Sequence, residues 1–496
     1  MALIENSLTI DKTLAVPVYL QVSNGIINHI RQGILKPGAP LPASRVLAKN
    51  LHVHRQTVVS AYDELYAQSW IDIYPRKGIF VAKNLPDVVP RRLAATIQSH
   101  ALASETSFPV PDKIHVASLF NKPADGNLIF NDGFPDTRIA PVELMVREYR
   151  RFANYRFTPT YLMYGLEQGS LNFRTELAKF LSATRGLNVT AADILITKGV
   201  QMALYLTAQV LLSKNDVVIV GDPGYSGANE IFEHSGAKLE LVPIDEHGLN
   251  MDAVETICKS KKVKMLYVIP HHHTPTTATL SSERRIRLLE LAKKYKFAII
   301  EDDYDFDFQY SGSPILPLAS IDTCGNVIYV GSFCKTIAPG IRIGFMIAPP
   351  NFLLQAIKLR KLIDRQGEHL LEEAMANLLK NGDISRHLKK ANKLYHERRD
   401  ILCGLLNAHL GDYITFKVPD GGFAIWVNYK QGIDPVKVAQ KASELGLTIS
   451  AGQDYYHDRS NKCNSVRIGF ASLNEQELED AVAIFSKAIK KVSGII

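Results

Sequence analysis

The 496-residue chain is 46% hydrophobic and 22% charged, with a formal net charge of +7. That balance is ordinary for packed globular protein, excludes a disordered chain, and at about 150 residues per domain points to roughly three domains. Five cysteines, odd in number and without a CxxC pair, speak against a disulfide framework or structural zinc, and no apolar run nears the ~20 residues of a membrane span.

The start, Met1-Ala2-Leu3-Ile4-Glu5-Asn6, lacks the basic-then-apolar order of a secretory leader. With the unpaired cysteines this leads us to expect a cytoplasmic protein. Val18, Val22, Ile26 and Ile30, with Ile27 and Ile34, recur at helical spacing and predict a first helix ending at Gly33. Pro37-Gly38 marks a turn, and Ser44 is placed to cap a short second helix through Lys49. After Leu51-His52-Val53-His54 a third helix is expected over about 55–67, burying Val58, Val59, Tyr62 and Leu65. Two strands, 71–74 and 79–82, are then joined by Pro75-Arg76-Lys77-Gly78 as a hairpin. Helix, helix, turn, helix and wing make a winged helix-turn-helix over 15–83. Residues 1–83 hold nine Lys and Arg against five Asp and Glu, which suits a partner carrying phosphates.

On that fold Arg55, Gln56 and Thr57 open the recognition helix, whose first residues are the ones that reach base edges of a double-stranded operator. Arg45 would hold a phosphate or a guanine edge, and Arg76 and Lys77 on the wing would meet phosphate or the minor groove. A winged helix used for protein contacts is the alternative.

Periodicity fades over 84–125, where Pro86, Pro90, Pro109 and Pro111 are interspersed with serines. A linker is expected there, with a helical piece near 91–100. Beyond it, apolar strand candidates (193–196, 217–220, 238–242, 265–269, 298–300, 327–330) alternate with amphipathic helices such as 201–212 and 282–294. This pattern predicts a large α/β domain with a mostly parallel sheet over 126–375. Long charged helices and two short strands, 423–427 and 465–468, predict a smaller α+β subdomain over 376–496.

Within the large domain, Lys335 lies in Ser332-Phe333-Cys334-Lys335-Thr336, ahead of Arg342 and after Glu301-Asp302-Asp303-Tyr304. A lysine that forms a Schiff base with pyridoxal phosphate needs three helpers. An acid keeps the ring nitrogen protonated, a hydroxyl contacts the phenolic oxygen, and a cation holds the phosphate. Asp302, Tyr304 and Arg342 are of those types. The alternatives are a solvated surface lysine at 335 and a divalent-metal site at Asp302, Asp303, Asp305 and Asp307. Aromatic residues interleave that acidic run and it lacks a turn glycine, which argues against a calcium loop. Three adjacent histidines, His271-His272-His273, also invite a metal reading, but side chains that alternate in direction after a strand do not converge on one ion. No metal is expected.

These motifs together resemble MocR-type regulators, the GntR-superfamily branch in which a winged helix precedes a fold-type I aminotransferase-like domain. The resemblance covers about residues 15–83 and 125–490. It implies that Lys335 carries pyridoxal phosphate, that Asp302 pairs with the ring nitrogen, and that Tyr304 contacts the phenolic oxygen. Gly199-Val200-Gln201 resembles the phosphate cradle, completed by Ser332 and Arg342. Tyr225 resembles the aromatic that stacks on the ring, with a core tyrosine as the alternative. Tyr164 is similar to the tyrosine that reaches the partner subunit's cofactor, which implies a homodimer. Arg467 stands at the position that takes a ligand carboxylate, and Arg138 is a candidate for the ligand's distal end. The chain departs from the pattern at Thr274, where an asparagine is usual, at Cys334 and His54, which replace serines, and at Ser69-Trp70, which replaces a glycine-aromatic pair. His272 is expected beside the cofactor. The function implied is a DNA-binding regulator sensing an amino acid or the cofactor itself. The alternative is an aminotransferase with an accessory DNA-binding domain.

Overall fold

A computed structural model of the chain describes residues 10–11, 16–75, 77–85, 104–112, 114, 128–153, 161–313, 315–459 and 463–494. The expected helical piece at 91–100, most of the expected linker, and Arg76 lie outside the described residues. The chain divides into two compact units, Met1–Pro111 and Asp112–Ile496. Among the described residues no helix is long and apolar enough to cross a membrane.

The first unit holds α1 (Val18–Arg31), α2 (Ser44–Asn50) and α3 (Arg55–Ala67), with strands β1 (Pro40–Leu41), β2 (Ile71–Tyr74) and β3 (Gly78–Val81). The strands form an antiparallel sheet in the order β1-β3-β2. Val22, Ile26, Leu47, Val58, Ala61 and Leu65 are wholly buried and tie the three helices together. Those on α1 and α3 recur at three- or four-residue spacing, so an apolar stripe on each of these helices builds the core around Leu47 of α2. Ile34 lies beyond α1 and is exposed, and Val59 is only half-buried. Ser44 does not cap α2: Ala43 occupies the cap position, and Ser44 is the first helical residue. At α3 the cap is made by His54, whose Nδ1 accepts from the Gln56 amide at 3.2 Å.

The second unit is built on an eight-stranded sheet. Its strands are β5 (Ile194–Thr197), β6 (Val217–Asp222), β7 (Lys238–Asp245), β8 (Gly248–Leu249), β9 (Val263–Val268), β10 (Ala298–Asp303), β11 (Val327–Ser332) and β12 (Gly344–Ile347). They lie in the order β5-β12-β11-β10-β9-β6-β7-β8. β12 is antiparallel to both neighbours, so β5, β11, β10, β9, β6 and β7 all point the same way. Helices cover both faces, so the inner strands are buried on both sides and read as unbroken apolar runs, as in Val327-Ile328-Tyr329-Val330. Alternate residues serve opposite layers. Ile328 and Val330 pack in one core cluster and Tyr329 in another. Gly344-Phe345-Met346-Ile347 was not among the strands expected from sequence. All four residues are buried, and a run this short shows no period to read.

The smaller subdomain pairs β13 (Ile414–Phe416), β14 (Ala424–Tyr429) and β16 (Ser465–Gly469) antiparallel. A second, parallel pair joins β4 (Leu128–Phe130) to β15 (Leu447–Ile449). Residues 128–130, expected at the start of the large domain, therefore pair with a strand more than 300 positions later. The division expected between 375 and 376 falls inside a helix, His369–Lys380.

Candidate functional site

Parallel strands bring all their carboxyl ends to one rim, and open α/β sheets bind ligands there. At that rim lies a cavity of about 350 Å³, lined among others by Val200, Gln201, Tyr225, Thr274, Asp302, Tyr304, Ser332, Lys335 and Arg342. Each arrives from a strand end. β5 leads through Gly199 into a helix beginning at Val200, and β6 leads through Asp222-Pro223-Gly224 to Tyr225. β10 ends at Asp302 and Asp303, and β11 ends at Ser332, three residues before Lys335.

Lys335 Nζ donates to the Gly133 carbonyl at 2.8 Å and lies 3.8 Å from the centre of the Phe134 ring. Burial, helped by the Arg467 guanidinium, pulls its amine down to about 8. A larger share of it is therefore neutral and nucleophilic near neutral pH than in an exposed lysine.

Asp302 is 3% exposed and accepts from the Tyr267 hydroxyl at 2.7 Å through Oδ2. Its Oδ1 is buried and has no hydrogen-bond partner among the described residues. Burial pushes this carboxyl up to about 7, with Asp303 and Asp305 adding to the rise and the Tyr267 hydrogen bond and Lys335 opposing it. Its acidic neighbours are engaged differently. Asp303 accepts from the Tyr329 hydroxyl and lies 3.3 Å from His271 Nδ1; Asp305 lies 3.0 Å from His272 Nδ1; Asp307 pairs with Arg185 at 2.8 Å. Of the four carboxylates, only Asp302 lines the cavity.

The Tyr304 hydroxyl donates to the His272 carbonyl at 2.8 Å and accepts from Thr274 Oγ1 at 3.1 Å and from Arg467 at 3.2 Å. Burial holds it protonated, well above the usual phenol range. Arg467 is 1% exposed and donates to the carbonyls of Asp132 and Pro275 at 2.9 and 2.7 Å. It forms no ion pair among the described residues.

The helix after Gly199 carries no side-chain cap, so its first N–H groups face the cavity unfilled. Gly199 has φ +80°, and a Cβ there would lie 2.9 Å from an Arg342 nitrogen. Arg342 donates to the Lys198 carbonyl at 2.7 Å and likewise pairs with no carboxylate among the described residues. Ser332 is buried, its hydroxyl donating to the Ile343 carbonyl at 3.1 Å. Bare helix N–H groups beside an uncommitted guanidinium suit a phosphate. Together with the orphaned Asp302 Oδ1, they make the cavity fit pyridoxal phosphate.

Four expected residues are not among those lining the cavity, Arg467 reaching it only through the Tyr304 hydroxyl. His272 turns its ring away from the cavity, to Asp305 and to Gln309 at 3.1 Å, and gives only its carbonyl to Tyr304. The three histidines do not converge: His271 contacts the Ile315 carbonyl at 2.6 Å and His273 contacts Thr276 at 2.9 Å. Arg138 is claimed by Asp136 and Glu477, both at 2.8 Å, and does not line the cavity. Tyr164 is 73% exposed with the Arg365 guanidinium 3.9 Å from its ring centre, also away from this chain's cavity. Conversely, Asp132, Phe134, Ser450, Asp454 and Tyr455 line the cavity without having been singled out in the sequence. Tyr455 donates to Asp132, and its carbonyl accepts from the Gly224 amide at 2.8 Å. The turn glycine at 133 was a usable signal for its neighbours, whereas the stretch around Tyr455 has no local pattern.

On the first unit Arg45, Arg55, Gln56 and Lys77 are exposed and Thr57 is half-buried. Arg45, Arg55 and Lys77 form no ion pair among the described residues, leaving their charges available to an anionic partner.

Two family matches divide the chain. Residues 18–81 match bacterial regulatory proteins of the gntR family, and residues 143–485 match aminotransferase class I and II. The probable rhizopine catabolism regulatory protein MocR of Rhizobium meliloti is 26% identical over 479 residues, covering 96% of this chain and 94% of that protein. The HTH-type transcriptional regulator TauR of Rhodobacter capsulatus is 28% identical, covering 95% of each. Among solved structures, the α-aminoadipate aminotransferase LysN of Thermus thermophilus superposes with a TM-score of 0.70 at 25% identity. The match covers 75% of this chain and 94% of that one, and that structure holds N-(5′-phosphopyridoxyl)-L-leucine.

Proposed function

Because the chain belongs to the aminotransferase class I and II family and carries a gntR-family domain ahead of it, in the MocR-type order, we infer that it is a DNA-binding transcription regulator. It reads an amino acid, or pyridoxal phosphate itself, through a lysine-held cofactor. The observation that carries this reading is the coexistence, in one chain, of exposed Arg45, Arg55 and Lys77, unpaired among the described residues, with a cavity that unites Lys335, Asp302, Tyr304 and Arg342.

When bound, pyridoxal phosphate supplies an aldehyde for a lysine and a ring that withdraws electrons. The chain's own residues supply the rest. Lys335 offers an amine whose proton is loosely held. Asp302 Oδ1 would hold the protonated ring nitrogen. Arg342, Ser332 and the N–H groups at Val200 and Gln201 would hold the phosphate, and Tyr225 would lie against the ring. Arg467, fixed by backbone carbonyls but without a counter-charge among the described residues, takes the effector's carboxylate, because its planar fork matches two oxygens. Arg138 is too committed to its two carboxylates to serve the distal end. A double-stranded operator places the protein in the compartment of the chromosome.

A single winged helix reads few base pairs, and two half-sites require two copies. We assign the second unit as the dimeriser. Leu162, Met163, Tyr164 and Leu166 are all exposed on one short stretch, and an apolar patch of that kind marks an interaction surface.

The test is footprinting with full-length protein, with and without amino acids and pyridoxal phosphate. Arg55→Ala is expected to lose specific protection while keeping the cofactor's absorbance. Lys335→Ala is expected to keep protection, lose its response to ligand, and yield no borohydride-reducible adduct. Full transaminase turnover without sequence-selective DNA binding at moderate salt would overturn the regulator reading in favour of the enzyme.

A further inference from the structure

Asp302 is an acid in an apolar setting, and one of its oxygens is already spoken for. Tyr267 lies on β9, opposite Ile300 of β10. Side chains two apart on a strand share a face, so Asp302 projects on the same side as Ile300, and a tyrosine can reach it diagonally. It does so: Tyr267 Oη is 2.7 Å from Asp302 Oδ2. Tyr267 is 4% exposed, and its ring packs edge-on against Phe232 with centroids 5.7 Å apart, so the hydroxyl is aimed by a packed scaffold. No other hydrogen bond to the Asp302 carboxyl is made among the described residues, and Oδ1 remains bare.

We propose that Tyr267 is a positioning residue for the cofactor: its hydroxyl occupies one oxygen of Asp302 and so directs the other, Oδ1, at the ring nitrogen of pyridoxal phosphate. The proposal rests on the reading of the cavity given above. Two physical consequences make the hydrogen bond more than packing. A buried carboxylate without a donor pays a large desolvation penalty and takes up a proton instead. Asp303 and Asp305 are close by and oppose the negative charge, while Lys335 favours it. Tyr267 adds a donor on the side away from the cavity. Burial and the adjacent Asp302 keep its phenol far above its ordinary range, so it remains a donor throughout the working pH. A protonated Asp302 would present a hydroxyl to a ring nitrogen and hold that nitrogen neutral, weakening both the grip and the ring's electron withdrawal.

The experiment compares full-length wild type, Tyr267→Phe, Asp302→Asn and the double variant by equilibrium binding of two probes. One probe is pyridoxal phosphate and the other is its 1-deaza analogue, in which carbon replaces the ring nitrogen. Tyr267→Phe is expected to weaken pyridoxal phosphate about 10- to 100-fold, the range of a lost hydrogen bond to a charged group. It should leave the 1-deaza analogue within about threefold of wild type, and it should add nothing to Asp302→Asn. Equal weakening of both probes would reduce Tyr267 to packing and overturn the proposal, as would unchanged binding of pyridoxal phosphate. The double variant removes the phenol donor together with the acid and so leaves no orphaned carboxylate, which keeps the comparison available if Tyr267→Phe alone does not fold. Failure of the wild type to bind pyridoxal phosphate would instead remove the reading of the cavity itself.

Discussion

At the scale of single residues, the acidic run after β10 shows how neighbours with the same chemistry are sorted by their partners. Asp303, Asp305 and Asp307 each lie against a histidine or an arginine. Among the described residues the Asp302 carboxyl has only a phenol as hydrogen-bond partner, and its other oxygen is left for whatever enters the cavity. The resulting linkage can be measured. In an unfolded chain this carboxyl titrates at its ordinary 3.8, whereas burial raises it to about 7 in the folded protein. Between those values the folded chain without cofactor holds a proton that the unfolded chain releases. Stability from this group is therefore present below about 4 and lost as pH rises towards 7, at no more than about 1.4 kcal/mol per pH unit. His273 acts in the opposite sense. Burial and Arg467 lower it to about 3, so its contribution is lost as pH falls from 6.5. The two partly cancel, and the Asp302 share appears as a difference. Denaturant unfolding of cofactor-free wild type and Asp302→Asn between pH 4 and 8 should show the wild type losing stability relative to the variant as pH rises. A difference that is flat with pH would mean that Asp302 titrates normally.

At the scale of elements, the two units handle helix N-termini in opposite ways. The helix after Gly199 leaves its start bare, and a bare start is what a phosphate needs. The recognition helix α3 fills its own start with His54. The imidazole Nδ1 accepts from the Gln56 amide, a role open only to a nitrogen without a proton. That cap fixes the entry of the chain into the turn that presents Arg55, Gln56 and Thr57. His54→Ala is expected to cost the first unit about 0.5–2 kcal/mol, while His54→Ser, which can cap in the same way, should restore most of it. Thermal unfolding with DNA-binding titrations reads both effects. An alanine variant as stable as wild type would show that solvent satisfies the amide equally well.

At the scale of the whole molecule, the cofactor cavity is assembled from segments far apart in sequence, from Asp132 to Tyr455. Tyr164 stands outside the cavity of its own chain, which is the placement required of a residue serving a partner. In a homodimer, Tyr164→Ala and Lys335→Ala damage the same cavity from opposite chains. Each variant alone is expected to bind pyridoxal phosphate poorly or without covalent attachment. Mixed dimers formed from equal amounts should regain one intact cavity, and with it up to about a quarter of the wild-type reducible adduct per chain by random pairing. No recovery on mixing, with dimers verified by sedimentation, would return Tyr164 to a role within its own subunit.

The sequence by itself determined the two-part plan and the residues carried in short contiguous motifs. Lys335 with Ser332 and Arg342, Asp302 with Tyr304, and Gly199 with Gln201 each lie within a stretch where strand end, turn and functional group are read together. The apolar stripes of α1 and α3 were equally plain, because a helix writes its buried face into local spacing. Only the tertiary structure decided which groups meet across strands. Tyr267 reads as one more apolar residue of a buried strand until the register with β10 brings its hydroxyl to Asp302. His272 was placed beside the cofactor by its neighbours in sequence, yet its ring goes to Asp305 because a buried imidazole finds its strongest partner in a buried carboxylate. Arg138 looked free until Glu477, 339 residues later, came within 2.8 Å. Local spacing encodes which face of an element is buried, but register and pairing set what that face touches, and those are properties of the packed whole.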